Sequence, residues 1–378
     1  MTRLRVGVVG VGHLGQHHAR ILSGIPGVEL VGVADSRREQ AQTVAERVGT
    51  VVVDKYQDLI HVVDAVSIAV PTSLHREVAG AFLSAGVATM VEKPLAASLA
   101  EAEGLVNLAR DHSALLQVGH IERFNPALHA LDGMSLRPRF IDAERLSTYT
   151  FRSTDIGVVL DLMIHDIDLL LSLVSAPVCS VAAVGVSVFG GHEDIANARI
   201  EFEDGCVATL TASRASFQAT RKMRIYGAEG YVSLDFATKQ GTLIRPSEAL
   251  RRGTIELDDV DMSQPSAIKE RVFGKILRVD KVQTEGREPL ALELEDFVQA
   301  ARGQGRPRVR GEDALRAMKL ADQILRSINA HKWENLGQNP AEAATLSQAG
   351  HALRGPLSWR IQGSRTPSTA SSSGSLSD

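Results

Sequence analysis

The sequence predicts an α/β domain built on a doubly wound parallel sheet, followed by an α+β domain built on a mainly antiparallel sheet. Three observations carry this. A Val-rich strand runs into glycines at G-x-G-x-x-G spacing and then into a helix-like segment, in LRVGVVGVGHLGQHHARIL from Leu4. Apolar strands then alternate with helix-spaced segments to about residue 120. Beyond RFNPALHAL the pattern changes to strands broken by turns. The 378 residues suit two domains of roughly 100–200 residues each, and a hydrophobic content of 44% supplies a core for both.

In the opening turn each glycine has a physical task. Gly10 permits the tight bend, Gly12 lets backbone approach a pyrophosphate, and Gly15 lets the helix pack on its strand, while the helix N-terminus offers N–H groups and positive dipole. His13 and Leu14 complete that turn and count with it as cofactor contacts. The second strand, VELVGVAD, ends at Asp35, 20 residues after Gly15. A carboxylate there accepts hydrogen bonds from an adenosine ribose and repels a 2′-phosphate, so Asp35 and Ser36 point to NAD rather than NADP. Arg37 and Arg38 follow and pull the other way, since either can swing onto a phosphate. This order of strand, turn, helix and strand marks a dinucleotide-binding Rossmann domain over residues 1–123.

Strands at AVSIAV, ATMVEK and ALLQVGH alternate with helices at SLHREVAGAFLSAG and SLAEAEGLVNLARDH. Ligands of such a sheet lie beyond the carboxyl ends of its strands. The strand-end polar residues are therefore candidates: Pro71, Thr72 and His75, then Glu92 and Lys93, then His120 and Arg123.

Residues 124–336 form the expected second domain. RFIDAERLS, CSVAAVGVSVF, IANARIEFEDGCVATLTASRA, TRKMRIYGAEGYVSLDF and GTLIRP read as strands, with EDG and AEG as hairpin turns. Val207, Thr209 and Thr211 alternate with Ala208, Leu210 and Ala212, giving a sheet with two unlike faces. Two helical segments follow, EPLALELEDFVQAARG and GEDALRAMKLADQILRSINA, and in the second Ala314, Met318, Ala321 and Leu325 make an apolar stripe expected in the core. Residues 337–378 are expected to be a C-terminal extension, disordered from about 362 where Ser and Gly dominate.

Within the second domain lies VLDLMIHDIDLL, residues 159–170. On a helix Asp161, His165 and Asp168 share one stripe, while nearly everything else is aliphatic. A helix apolar on most of its circumference is buried, and buried ionisable groups are costly unless paired. Three readings stand side by side: an Asp–His bond that locks the helix, a metal ligand set, or a polar face held toward a substrate. Asp166 lies off the stripe and is expected to be structural, whereas Asp168 has no assigned task.

Composition excludes several functions. The formal charge of −4 comes without a long run of either sign, so neither nucleic acid nor a membrane surface is an expected partner. Cys179 and Cys206 are the only cysteines, and no zinc spacing is present. With no leader and no apolar run near the roughly 20 residues that span a bilayer, a cytoplasmic protein is expected.

Taken together, G-x-G-x-x-G, PTSLH at 71–75, EKP at 92–94 and Asp161-x-x-x-His165 resemble the Gfo/Idh/MocA oxidoreductases over roughly residues 3–330. VGHIERFNPA and DLMIHDIDL resemble the branch containing UDP-N-acetylglucosamine 3-dehydrogenases. The resemblance implies nicotinamide-dependent, metal-free oxidation of a secondary ring hydroxyl to a ketone on a nucleotide-activated amino sugar, UDP-N-acetylglucosamine at C3. It places Lys93 between nicotinamide and substrate, with Lys93–Pro94 as a candidate cis bond. His165 becomes the general base, Asp161 orients the imidazole or binds a neighbouring hydroxyl, and Lys93 stabilises the alkoxide; the proton is credited to Lys in some members and to His in others. Arg123 and Asn125 join the substrate contacts. DIGVV at 155–159 replaces a glycine-rich run common in the family, so Asp155 is expected to touch substrate and Arg145 and Arg152 to meet a diphosphate. The second sheet is implied to be large and open, with one face joining subunits into a homodimer or homotetramer. Two alternatives remain: an inositol or free-sugar dehydrogenase, and a non-catalytic NAD-binding regulatory or scaffold protein.

Overall fold

Strand β1 (Leu4–Val9) lies at the middle of the first sheet, between β2 (Val28–Ala34) and β3 (Ala65–Ile68), with β4 (Ala88–Glu92) and β5 (Leu116–Gly119) beyond. All four pairings are parallel, in the order β2-β1-β3-β4-β5. Helices α1 (Gly15–Gly24), α2 (Arg38–Val48), α3 (His75–Ser84) and α4 (Leu99–Asp111) connect them. Because both faces are covered, Val6, Val8, Val66 and Ile68 are all buried, which explains the unbroken apolar runs. The strand order reverses between β2-β1 and β1-β3, so the switch point of the sheet opens at the carboxyl ends of β1 and β3. The computed structural model describes residues 3–134, 136–149, 156–189, 191–254, 276–283 and 286–331. Arg152, Asp155 and the extension at 337–378 lie outside them.

The second sheet holds β6 (Pro138–Leu146), β7 (Val178–Val186), β8 (Ile195–Phe202), β9 (Val207–Ser213), β10 (Thr220–Gly227), β11 (Gly230–Asp235), β12 (Gln240–Pro246) and β13 (Leu277–Gln283). Its order is β13-β12-β11-β10-β6-β9-β8-β7, antiparallel except where β6 meets β9. As the alternation predicts, Ala208, Leu210 and Ala212 are buried while Val207, Thr209 and Thr211 are half-buried. The strand β13 has no counterpart in the sequence reading: LRVDKVQ carries charges on an edge strand, where Asp280 pairs with Arg245 and Arg278. After the short helix α6 (Glu248–Arg251), two longer helices return to the body, α7 (Pro289–Ala301) and α8 (Gly311–Ala330).

Helix α5 (Ile164–Leu173) packs with α8 under the second sheet, and the stripe of Ala314, Met318 and Ala321 is buried there. Helix α7 takes the opposite side. Its Leu290, Leu294, Phe297 and Val298 enter the core beneath α1 and β1, and Glu288 before it meets Arg20 at 2.8 Å. Among the described residues no helix is long and apolar enough to cross a membrane.

One buried ion cluster fixes α5 in place. Arg145 follows Ile141 and Ala143 on the inward face of β6, and its guanidinium grips Asp166 of α5 through two hydrogen bonds of 2.9 Å. Its third donor reaches Glu122 at 2.8 Å, and Glu122 in turn accepts from Asn125 at 2.9 Å. Asn125 also donates to the Phe236 carbonyl at 3.0 Å and accepts from the Ala127 amide at 3.0 Å. The expected substrate roles of Arg145 and Asn125 are thereby corrected: both are buried, and their polar atoms are taken up in joining β6, α5 and the segment that leaves the first domain. Removing one partner strands a buried charge, so Arg145→Ala is expected to cost about 3–5 kcal/mol. Denaturant unfolding measures this, and a loss under about 1 kcal/mol would contradict the clamp.

Candidate active site

At the switch point a cleft of about 670 Å³ is lined by Gly10, Gly12, His13, Leu14, Asp35, Ser36, Arg37 and Pro71, which brings most of the expected cofactor residues together. Tyr56 and Leu74 add apolar walls that the motif does not announce. The glycines are required sterically. Gly10 has φ +82°, and a Cβ there would stand 2.6 Å from the Ala69 carbonyl oxygen; a Cβ on Gly15 would stand 1.8 Å from the Gly10 oxygen. Over Gly12 the nearest atom is 3.6 Å from such a Cβ, leaving room above the backbone. Helix α1 starts here with no acidic residue in its first turn, as an anion site at a helix N-terminus needs.

Asp35 holds this turn together. Its carboxylate accepts from the Val11 amide and from the Arg37 amide, both at 2.9 Å. Each oxygen keeps lone-pair capacity for ribose hydroxyls. Arg37 reaches to 3.7 Å of Asp35, whereas Arg38 is paired with Asp54. Glycine-rich turn, helix terminus and strand-end acid therefore fit NAD.

Farther along the carboxyl edge, Lys93 leaves β4 through a turn whose Lys93–Pro94 bond is cis. Its ammonium donates to Asp161 twice, to the carbonyl at 2.7 Å and to the carboxylate at 3.0 Å. Thr72 begins the single 3-10 turn after Pro71. His75 is buried behind it, with Nδ1 2.9 Å from the Pro94 carbonyl and Nε2 3.0 Å from the Val70 carbonyl. Burial lowers its pKa, so the ring is neutral and donates to only one of them. Glu92 also faces inward. Its carboxylate lies 3.0 Å from His18 Nε2, and although burial alone would raise its pKa, His18 and Lys93 hold it below the usual range. The expectation that the side chains of His75 and Glu92 touch cofactor is corrected: they brace the Lys93 turn from behind.

Asp161 does not orient His165. Residues Val159–Met163 form a π-helical turn before α5, so the 100° step assumed for the stripe fails there and the Asp161 carboxylate goes to Lys93. Glu193 supports the turn by accepting from the Val159 amide at 3.1 Å, and Gly157 has no room for a Cβ beside that carboxylate. His165 has Nδ1 buried without a hydrogen-bond partner. Burial, then the Lys93 ammonium, push its pKa well below 6.5. The imidazole is thus neutral and able to take a proton.

Two further groups stand beside it. The His120 ring lies perpendicular to that of His165 at 6.3 Å between centroids and is itself buried. Arg221 pairs in register with Arg145 across β10 and β6, on the face shared with buried Met223 and Ile225, and its charge acts on His165. Arg221 is exposed, in contrast to Arg145. The period-2 pattern of TRKMRIYG contained this placement. Arg123 sits 3.8 Å from Asp168 and lines a second cleft of about 540 Å³. Among the described residues no three His, Cys, Asp or Glu side chains are grouped to hold a metal.

A parallel sheet with a dinucleotide turn, and a lysine and neutral histidine at its edge, define an NAD-dependent oxidoreductase. The chain belongs to the Gfo/Idh/MocA family: residues 4–120 match its oxidoreductase domain with NAD-binding Rossmann fold, and residues 144–336 match its C-terminal alpha/beta domain. It is 36% identical over 306 residues to UDP-N-acetylglucosamine 3-dehydrogenase of Acidithiobacillus ferrooxidans, covering 79% of this chain and 89% of that one. A solved structure of that enzyme superposes with a TM-score of 0.77 at 34% identity, covering 87% of this chain and 99% of the other. Inositol 2-dehydrogenase of Rhizobium meliloti is 25% identical over 344 residues, 86% of this chain and 97% of its own. The expected family and fold class, an enzyme of the NAD-binding type, are thereby borne out.

His75, His120 and His165 all have folded pKa values below 6.5, principally through burial. The unfolded chain therefore binds more protons in acid. Their contribution to stability is complete above 6.5 and is lost as pH falls below it. The share of the melting temperature that His165 carries is expected to be constant above about pH 7 and to fall below about 6.5, so His165→Gln should lose less than the wild type between about pH 7 and 5. Identical acid-side slopes in the two proteins would contradict a neutral imidazole at His165.

Proposed function

We propose that the protein is an NAD-dependent dehydrogenase that oxidises the C3 hydroxyl of UDP-N-acetylglucosamine to a ketone. The observation that carries the reading is the Lys93–Asp161 pair, which joins the carboxyl end of β4 to the segment leading into α5 and its neutral His165, in a chain whose β1 turn fits a dinucleotide. Gly10, Gly12, the start of α1 and Asp35 would hold the cofactor. When bound it supplies the hydride acceptor. His165 removes the hydroxyl proton through Nε2, since Nδ1 is the buried ring nitrogen. The Lys93 ammonium, fixed by Asp161, stabilises the negative charge developing on that oxygen. Loss of a proton and a hydride from the CH–OH group balances as ketone, reduced cofactor and one proton.

Support for a nucleotide sugar comes from the relative named for that substrate and from Arg221, the exposed cation that can meet a diphosphate where Arg145 cannot. Arg123 remains a second candidate contact. The named inositol dehydrogenases among the relatives favour a second reading, an inositol as substrate. Growth of NADH absorbance with UDP-N-acetylglucosamine and not with myo- or scyllo-inositol is the expected result, and the reverse overturns the first reading. His165→Ala and Lys93→Met are each expected to lower kcat/KM by about 10²–10⁴ while largely keeping NAD affinity; unchanged turnover in both would favour a binding protein without catalysis. Asp35→Ala is expected to weaken NAD at least tenfold by titration, through loss of two charge-assisted hydrogen bonds to ribose worth about 1.5–3 kcal/mol each.

We further propose self-association through the open face of the second sheet. Phe140, Tyr226 and Tyr231 stack there, with ring centroids 5.6 and 4.8 Å apart. Light scattering is expected to give a dimer or tetramer mass, reduced by Tyr226→Asp.

A further inference from the structure

Buried polar side-chain atoms without a hydrogen-bond partner are rare in folded proteins. Among the described residues they belong to six side chains: His18, Gln117, His120, His165, Asp168 and Glu293. His165 and Asp168 lie one turn apart on α5, and Glu293 lies on α7. His165 and His120 have adjoining rings, and Asp168, on the same helix as His165, acts electrostatically on both His120 and Glu293. Gln117 of β5 donates to the Glu293 carbonyl at 3.2 Å. Glu92 acts on His120 and Glu293 and stands 3.0 Å from His18 Nε2.

Glu293 is the member hardest to explain by structure alone. It projects from α7 into the apolar core, wholly buried, with neither carboxyl oxygen hydrogen-bonded. Burial, with Glu92, Asp296 and Asp168 nearby, raises its pKa well above the carboxylate range, so the group is a neutral acid. A neutral acid has one donor and one acceptor oxygen, which is what a proton-passing group requires. Asp296, one turn farther along α7, and Arg123, beside Asp168, both line the open cleft of about 540 Å³. Through Arg123 and Asp296 the group adjoins a cleft whose lining shares no residue with the dinucleotide cleft.

We propose that this group is the proton exit of the enzyme, in which His120, Asp168 and Glu293, joined by ordered water, carry the proton from His165 to the cleft at Arg123 and Asp296. The proposal rests on the reading of His165 as proton acceptor. The substrate hydroxyl gives its proton to His165 Nε2, and the imidazolium releases one from Nδ1. Each relay member then accepts on one atom and releases from another. The net change is one proton from substrate to solvent, with no electron moved. Buried polar groups with free hydrogen-bonding capacity are where internal water resides, at about three hydrogen bonds per molecule.

Glu293→Gln and Asp168→Asn keep shape and remove proton transfer. In the full-length enzyme, assayed with whichever sugar the wild type oxidises, each is expected to fold and bind NAD normally. Turnover is expected to fall roughly tenfold or more, within the range of lost proton-transfer catalysis. The deficit should shrink as a small buffer acid such as imidazole is raised, and the D2O effect on kcat should grow. A purely structural role would show no such rescue. Wild-type kcat and an unchanged D2O effect in both variants overturn the relay. If His165→Ala keeps full turnover, the reading of His165 fails first. Independently of turnover, infrared spectra of the wild type at neutral pH should contain a protonated-carboxyl C=O band that Glu293→Gln removes; absence of that band overturns the proposal.

Discussion

The guanidinium of Arg145 is the group on which the rest of the site depends. Burying it without partners would cost several kcal/mol, and the chain answers with two carboxylates from two directions, Asp166 of α5 and Glu122 of the segment after β5. Bidentate geometry fixes distance and plane together. Helix α5 therefore has one position relative to both sheets, and His165, next to Asp166, is held with it. The cluster contributes modestly to net stability compared with apolar packing. Its main consequence is positional, because a reacting group displaced by an ångström loses much of its effect.

Lys93 makes the complementary link across the domain boundary. Its ammonium belongs to the first sheet, and both of its acceptors belong to Asp161 of the second domain. The π-helical turn is what delivers them, since it turns the Asp161 carboxylate out of the stripe that a regular helix would place beside His165. The result is a division of labour by charge. Lysine and aspartate neutralise one another beside a neutral imidazole, so the unliganded site carries little net charge where an alcohol must enter. Glu92 and His75 support the same turn from the interior side, the first through its contact with His18 and the second through a backbone carbonyl of the turn.

Much of the fold is legible in the residues. The glycine turn, the acid ending β2 and the alternation in β9 lead directly to the observed sheets, because each depends on local sterics or on a period that burial enforces. The resemblance implies a diphosphate contact for Arg145. Yet Ile141, Ala143 and Arg145 share one face of β6, so the period already pointed it inward. Glu293 is similar: Leu290, Glu293, Leu294 and Phe297 fall at i, i+3, i+4 and i+7, an acid inside an apolar stripe. In both cases the period, and not the usual preference of charged residues for the surface, matches where the side chain lies. The π turn is different in kind. It arises from tertiary support by Glu193 across Gly157, more than 30 residues apart in sequence, and no local period encodes it.

These features meet in the proton affinity of His165. Burial and the neighbouring cations, Lys93 first among them, make its imidazole a weaker base than a free histidine. A weaker base abstracts a proton less readily, but it also releases one more readily, and a catalyst has to do both in every cycle. Arg145 contributes to both sides of this balance, since the same charge that locks α5 through Asp166 also disfavours the imidazolium. Positioning and electrostatic tuning are therefore not separable in this site. A residue that holds the histidine in place also sets how long it keeps its proton.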